Sequence, residues 1–266
     1  MRACLNLVTI HQGFSTLEGI KLAASVGFEG VGIWADDFEQ QSDPLAYAKD
    51  VAKALADSGL RAEEMCFVGG WMWESGDALQ GALDQITRRA EIAAAATCPF
   101  VIACVHGGTG CNDAAAEDYR RICDIGAQFG INFALEYIGP AAQIKNIPTG
   151  LEIVRLANHP NGKLLIDTFH SFRGGTTVED FDLPQAGEVG VVHINDVPAG
   201  DVLTMNDLDR VMPGAGVLPL KDAMGKLQSH GFEGALSVEV FNQDWWSKPA
   251  PEVAAAAIAG LESVMP

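Results

Sequence analysis

No Cys-x-x-Cys pair occurs among the six cysteines of this 266-residue chain, at positions 4, 66, 98, 104, 111 and 123. Cys4, Cys66 and Cys104 fall in apolar runs, where a free thiol behaves as a small hydrophobe. All six read as reduced thiols, which fits a cytoplasmic location and argues against a zinc–thiolate site. Positive charge is also scarce: 17 Lys+Arg stand against 35 Asp+Glu, a net charge of −18. Phosphate backbones are held by Lys and Arg, so neither a nucleic-acid partner nor a heavily phosphorylated substrate is expected. No uncharged apolar stretch reaches the ~18 residues of a membrane span, and no membrane partner is expected. The opening MRACLNLVTIHQGF lacks the apolar core and cleavage site of a signal peptide. An open, doubly wound sheet places GxGxxG after its first strand; IHQGFS stands there instead. GGTGCN, further on, is glycine-rich but has the wrong spacing.

What is present is a regular alternation. Hydrophobic residues make up 48% of the chain, enough for a sizeable core. Strand-like runs are expected at 3–9, 30–34, 61–67, 100–105, 132–137, 163–167, 190–195 and 235–241. Helical patterns lie between them, at 15–26, 44–58, 77–96, 113–129, 149–158, 218–229 and 250–263. Asp43-Pro44 is a capping residue followed by proline at the first helical position. SVGFEG, DSGLRA and QFGIN each end a helix in glycine and enter a strand. Eight such units without a linker or composition break predict one domain over 1–266, a (β/α)8 TIM barrel of the α/β class.

In such a barrel the functional site forms at the C-terminal ends of the strands. Glu136, Asp167, His193 and Glu239 close four successive apolar runs, in FALEY, LLIDTFH, VVHIND and ALSVEV. A buried carboxylate or imidazole is costly unless paired or bound to a metal. Their separations are 31, 26 and 46 residues, the first two close to one ~30-residue βα unit. Three carboxylates and an imidazole are the ligand set expected of one divalent cation: Mn²⁺, Mg²⁺ or Co²⁺ suit it, and Zn²⁺ is compatible.

Around this set, His170 follows Asp167 by three residues, and His106 holds the equivalent place after the fourth strand. Both are expected at the substrate. The longer segment after the seventh strand carries Arg210 before a PGAG turn, where a guanidinium fork could meet a substrate oxygen. Trp34 at the end of the second strand, and Trp71 or Trp73 after the third, are expected to wall a sugar or cyclitol ring, with Asn6 adding a hydrogen bond.

The stretches ALEYIG, LLIDTFHSFRGG, HINDVP, LDRVMPGAG and GFEGALSVEVFN resemble the xylose-isomerase-like sugar isomerase/epimerase superfamily of AP endonuclease 2-like TIM barrels. Within it, inosose (2-keto-myo-inositol) isomerases are the most similar. The likeness covers the second half of the chain nearly continuously; the first half shares the strand–helix rhythm and the CLN of its first strand. The resemblance implies a metal-dependent isomerase or epimerase of a keto-sugar or keto-cyclitol, with Glu136, Asp167, His193 and Glu239 as ligands and His170 and Arg210 at the substrate. Glu136 and Glu239 would also be the acid/base pair, moving a proton through a cis-enediolate held on the metal. The superfamily commonly forms dimers or tetramers, so a homo-oligomer is compatible. Strand two ends in Trp34 where many relatives carry a charged substrate-binding residue, which reshapes the pocket there. Three alternatives stand beside this reading. One is a lyase on the same site, an inosose-type dehydratase or 3-keto-glycoside deglycosidase. Another is an endonuclease-IV-like phosphodiesterase, against which six histidines and the charge of −18 argue. The last is a non-catalytic sugar-binding barrel.

Overall fold

Local signals in the sequence set where the helices begin and end. Ser15 accepts from the Glu18 N–H, and Glu18 accepts from the Ser15 N–H, closing a capping box on the helix Thr16–Val26. Asp43 caps Pro44–Ser58, with Pro44 at its first position. Gly27, Gly59 and Gly130 end three helices in the left-handed region, at φ 100°, 68° and 72°, and each turns the chain toward the next strand.

The computed structural model describes residues 1–10 and 14–266; His11 lies outside the described residues. Its strands are Arg2–Asn6 (β1), Gly30–Trp34 (β2), Arg61–Val68 (β3), Phe100–Val105 (β4), Asn132–Tyr137 (β5), Gly162–Asp167 (β6), Val189–Ile194 (β7) and Ala235–Val238 (β8). They pair in sequence order, all parallel, and β8 closes on β1. The (β/α)8 barrel is thus the fold, and the open-sheet alternative is excluded. Three differences from expectation bear on the site. The first run ends early because Leu7–Ile10 turn into a 3₁₀ helix. The last strand stops at Val238, although Glu239 N–H still reaches the Ile194 carbonyl at 3.3 Å. A short helix, Thr168–Arg173, starts directly after β6 with Asp167 as its cap.

Two apolar clusters divide the core. The larger packs helices against the outside of the barrel. The smaller, Cys66, Ile102, Cys104, Ala134, Leu165 and Val191, comes from β3 to β7 and fills the lumen. Residues two apart on a strand share a face. Ala134, Leu165 and Val191 in the lumen therefore put Glu136, Asp167 and His193 on the inner face one step nearer the mouth. All six cysteines are free thiols, five of them buried. No helix among the described residues is long and apolar enough to cross a membrane.

Candidate metal centre

Strand register brings the four polar residues together. Asp167 pairs with His193 across β6 and β7, and His193 with Ser237 across β7 and β8, which leaves Glu239 two residues further on the same face. One donor atom from each of Glu136, Asp167, His193 and Glu239 lies within 4.8 Å of every other, and all four residues are buried. His193 Nδ1 stands 3.2 Å from Glu239 Oε2 and 3.6 Å from Glu136 Oε1. It makes no hydrogen bond to any described residue.

Glu64, absent from the sequence-based site, explains that orientation. Its Oε2 lies 2.9 Å from His193 Nε2. A carboxylate only accepts, so Nε2 carries the proton and Nδ1 turns toward the three carboxylates. This carboxylate–histidine arrangement is the usual support for a metal-binding imidazole. Glu64 is itself held by Ser237 Oγ at 2.6 Å and Asn6 Nδ2 at 3.3 Å, with its side chain against Gly32, where a Cβ would collide with Oε1. The glycine of GVGIW makes room for the buried acid.

The electrostatics call for positive charge. Burial disfavours the imidazolium of His193, yet Glu239 and Glu64 hold its pKa well above the ordinary histidine value. Burial would likewise raise the Glu239 carboxyl, but His193 and Arg210 outweigh it and pull it down to about 2. An unpartnered buried nitrogen among three carboxylates fits a divalent metal, and the donor set would hold it through Glu136, Asp167, His193 and Glu239. A second cluster, Glu64, Cys66 and His193, has suitable ligand types. Its Glu64 oxygens already accept three hydrogen bonds, and burial pushes the Cys66 thiol up to about 12, so it stays protonated.

A cavity of about 270 Å³ opens above the carboxylates, lined in part by Trp34, His106, His170 and Arg210, all expected there. Phe67 and Phe241 add walls that were not anticipated, each edge-on to Trp34 with ring centres 6.0 and 6.2 Å away. Asn6 does not line the cavity. It lies beneath it, fully buried, donating to Glu239 Oε1 at 3.1 Å and accepting from Trp34 Nε1 at 2.7 Å. Trp71 is a correction: its ring is buried in the outer core, 5.8 Å from that of Tyr119, and does not reach the cavity. Trp73 packs against Gly108 and Gly110 of the loop after β4 and is likewise not a wall residue.

Arg210 also departs from expectation. Its Nη1 meets Glu239 Oε2 at 2.8 Å and Asp167 Oδ2 at 3.1 Å; its Nη2 meets Asp207 Oδ1 at 2.7 Å and His170 Nε2 at 3.3 Å. The fork that was expected to meet a substrate oxygen is spent on protein groups. Arginine cannot accept, so His170 Nε2 is the acceptor and its Nδ1 carries the proton. Asp196 fastens the loop that delivers Arg210: its carboxylate accepts from the N–H groups of Gly214, Gly216 and Leu218. A Cβ at Gly216 would meet that same carboxylate.

Fold and site together define a (β/α)8 barrel with a carboxylate-rich cluster of candidate metal ligands at its C-terminal mouth. The model of the xylose isomerase-like TIM barrel family matches residues 20–264, and the chain belongs to that family. Inosose isomerase of Bacillus velezensis is 28% identical over 152 residues, 57% of this chain and 54% of the relative. A 3-dehydroshikimate dehydratase of Pseudomonas aeruginosa is 26% identical over 269 residues, 98% of this chain and 41% of the relative. The chain thus spans about half the length, or less, of these curated relatives. Among solved structures, the IolI protein with a bound zinc atom superposes with a TM-score of 0.89 at 20% identity, covering 99% of this chain and 98% of that one.

Proposed function

We propose that this protein is a divalent-metal-dependent isomerase or epimerase of a keto-sugar or keto-cyclitol of the inosose type. The observation that carries the reading is the convergence of donor atoms from Glu136, Asp167, His193 and Glu239 on one point, with His193 Nδ1 unpartnered among the carboxylates. The similarity to inosose isomerases supports the substrate class. Bound there, a divalent ion, Mn²⁺ by the hardness of the donors, would supply polarisation of a carbonyl and its neighbouring hydroxyl, acidifying the C–H of the hydroxyl-bearing carbon. Glu136 and Glu239 then act as the proton-transfer pair. Their surroundings differ. Both Glu239 oxygens accept hydrogen bonds, from Asn6 and Arg210. Glu136 accepts one at Oε2, from the Cys104 thiol at 2.7 Å, and Oε1 is left without a donor among the described residues. Glu136 is therefore the better placed of the two to take the proton. Trp34, Phe67 and Phe241 exclude water and present apolar faces to the C–H groups of a ring.

A lyase on the same site is the second reading, favoured by the 3-dehydroshikimate dehydratase that matches nearly the whole chain. Both begin with the same proton abstraction. Incubation of the metal-loaded protein with 2-keto-myo-inositol in D₂O separates them: a rearranged ketone carrying solvent deuterium supports the isomerase, and loss of water supports the lyase. Glu136→Gln and Glu239→Gln are expected to abolish either outcome. Near-wild-type turnover in either variant would contradict the acid/base roles.

A further inference from the structure

Charge in the cavity is distributed unevenly. Arg210 is the one arginine among the described lining residues, and no lysine accompanies it. Its terminal N–H groups go to Glu239, Asp167, Asp207 and His170, and its faces are covered by Phe169 and Phe241, with ring centres 5.0 and 5.3 Å from Cζ. Both Nη groups are thus taken by protein partners, and Nε, which has no hydrogen-bond partner among the described residues, is buried. Glu64, Glu136, Asp167, Asp207 and Glu239 supply five carboxylates in and directly under the cavity. A divalent ion and one guanidinium leave these carboxylates in excess.

Asp207 differs from the other acids. It belongs neither to the four convergent donors nor to the layer beneath them. It sits at the rim with its side chain 54% exposed, 2.7 Å from Arg210 Nη2 and 3.7 Å from His170 Nε2. Asn206 caps the short 3₁₀ turn Asp207–Asp209 and holds the residue there. A carboxylate or phosphate on a substrate ring would need the guanidinium edge that Asp207 covers, and would meet a like charge in trying to reach it.

We propose that Asp207 is a specificity-determining residue: it occupies the outward edge of Arg210, bars anionic rings from the cavity and reserves it for neutral polyhydroxy ketones. The proposal rests on the keto-cyclitol reading above and narrows it, because it sets aside substrates such as 3-dehydroshikimate even if the chemistry is that of a lyase.

The test compares two six-membered ring ketones, neutral 2-keto-myo-inositol and the carboxylate 3-dehydroshikimate. Their affinities for metal-loaded wild type, Asp207→Asn and Asp207→Glu are read by calorimetry and tryptophan quenching. Wild type should favour the neutral ring. Asp207→Asn should bind the carboxylate about tenfold more tightly relative to the neutral ring, a gain that fades with added salt, and Asp207→Glu should restore exclusion. A discrimination ratio unchanged in Asp207→Asn, or wild type binding both rings equally, overturns the proposal and leaves the isomerase reading intact. Failure of wild type to bind 2-keto-myo-inositol overturns that reading instead. The charge filter is then judged on 3-dehydroshikimate alone: binding gained in Asp207→Asn upholds it, and binding still absent overturns it.

Discussion

Glu64 Oε2 and His193 Nε2 lie 2.9 Å apart in the barrel lumen, both fully buried. This contact decides which imidazole nitrogen faces Glu136 and Glu239. Glu64→Gln keeps the shape and removes the charge that supports the ring. Affinity for Mn²⁺ or Zn²⁺ should fall about 10- to 100-fold in calorimetric titration, the usual cost of losing such a partner. Unchanged affinity would show that the contact is structural only.

Arg210 neutralises two buried carboxylates, Asp167 and Glu239, with a side chain that is itself 2% exposed. Removing one member of such a group leaves uncompensated charge. In urea denaturation of metal-free protein, Arg210→Met should cost about 3–5 kcal/mol. Arg210→Lys should recover only part of this, because an ammonium lacks the planar fork that meets several acceptors at once. A loss under 1 kcal/mol for Arg210→Met would contradict the pairing.

Chelation should destabilise the protein. A ligand at a hundred times its Kd contributes about 2.7 kcal/mol. For a chain of this length that corresponds to a fall in Tm of about 5–10 °C when EDTA replaces the metal. Glu136→Gln and Glu239→Gln should shrink the difference between metal-loaded and EDTA-treated samples. A wild-type Tm indifferent to EDTA would argue against a resident ion.

The tryptophans divide by location. Trp71→Ala should cost about 3–5 kcal/mol of stability, as large aromatic truncations in cores do, and leave ligand affinity near wild type. Trp34→Ala should do the reverse, because its ring lines the cavity. A ligand defect in Trp71→Ala at full metal occupancy would show that the core assignment misses a route to the site.

Much of the site was legible because each donor closes an apolar strand, and period-two alternation places such a residue on the inner face near the mouth. Glu64 escaped the same logic. It lies inside β3 and precedes its apolar residues, so it resembled one more acid in a polar strand start. A signal was nonetheless present in the neighbouring strand, where Gly30 and Gly32 leave room for Glu63 and Glu64. Trp71 was misplaced for a different reason. Past a strand end no periodicity fixes which way a side chain points, and this one turned to the helix layer against Tyr119. The same freedom hid the saturation of Arg210, since its partner Asp207 sits in a 3₁₀ turn that no repeat predicts. Cys66 and Cys104 read as small hydrophobes from their apolar runs, and the fold adds that both pack in the lumen, where Cys104 also touches Glu136.

The central claim is that Glu136, Asp167, His193 and Glu239 hold one divalent cation. Anomalous diffraction from a crystal soaked in Mn²⁺ or Zn²⁺ tests it most directly. A single strong peak contacted by those four side chains, through Nδ1 of His193, is the predicted result. No peak in the barrel, or one centred on Glu64, Cys66 and Nε2 of His193, would contradict it.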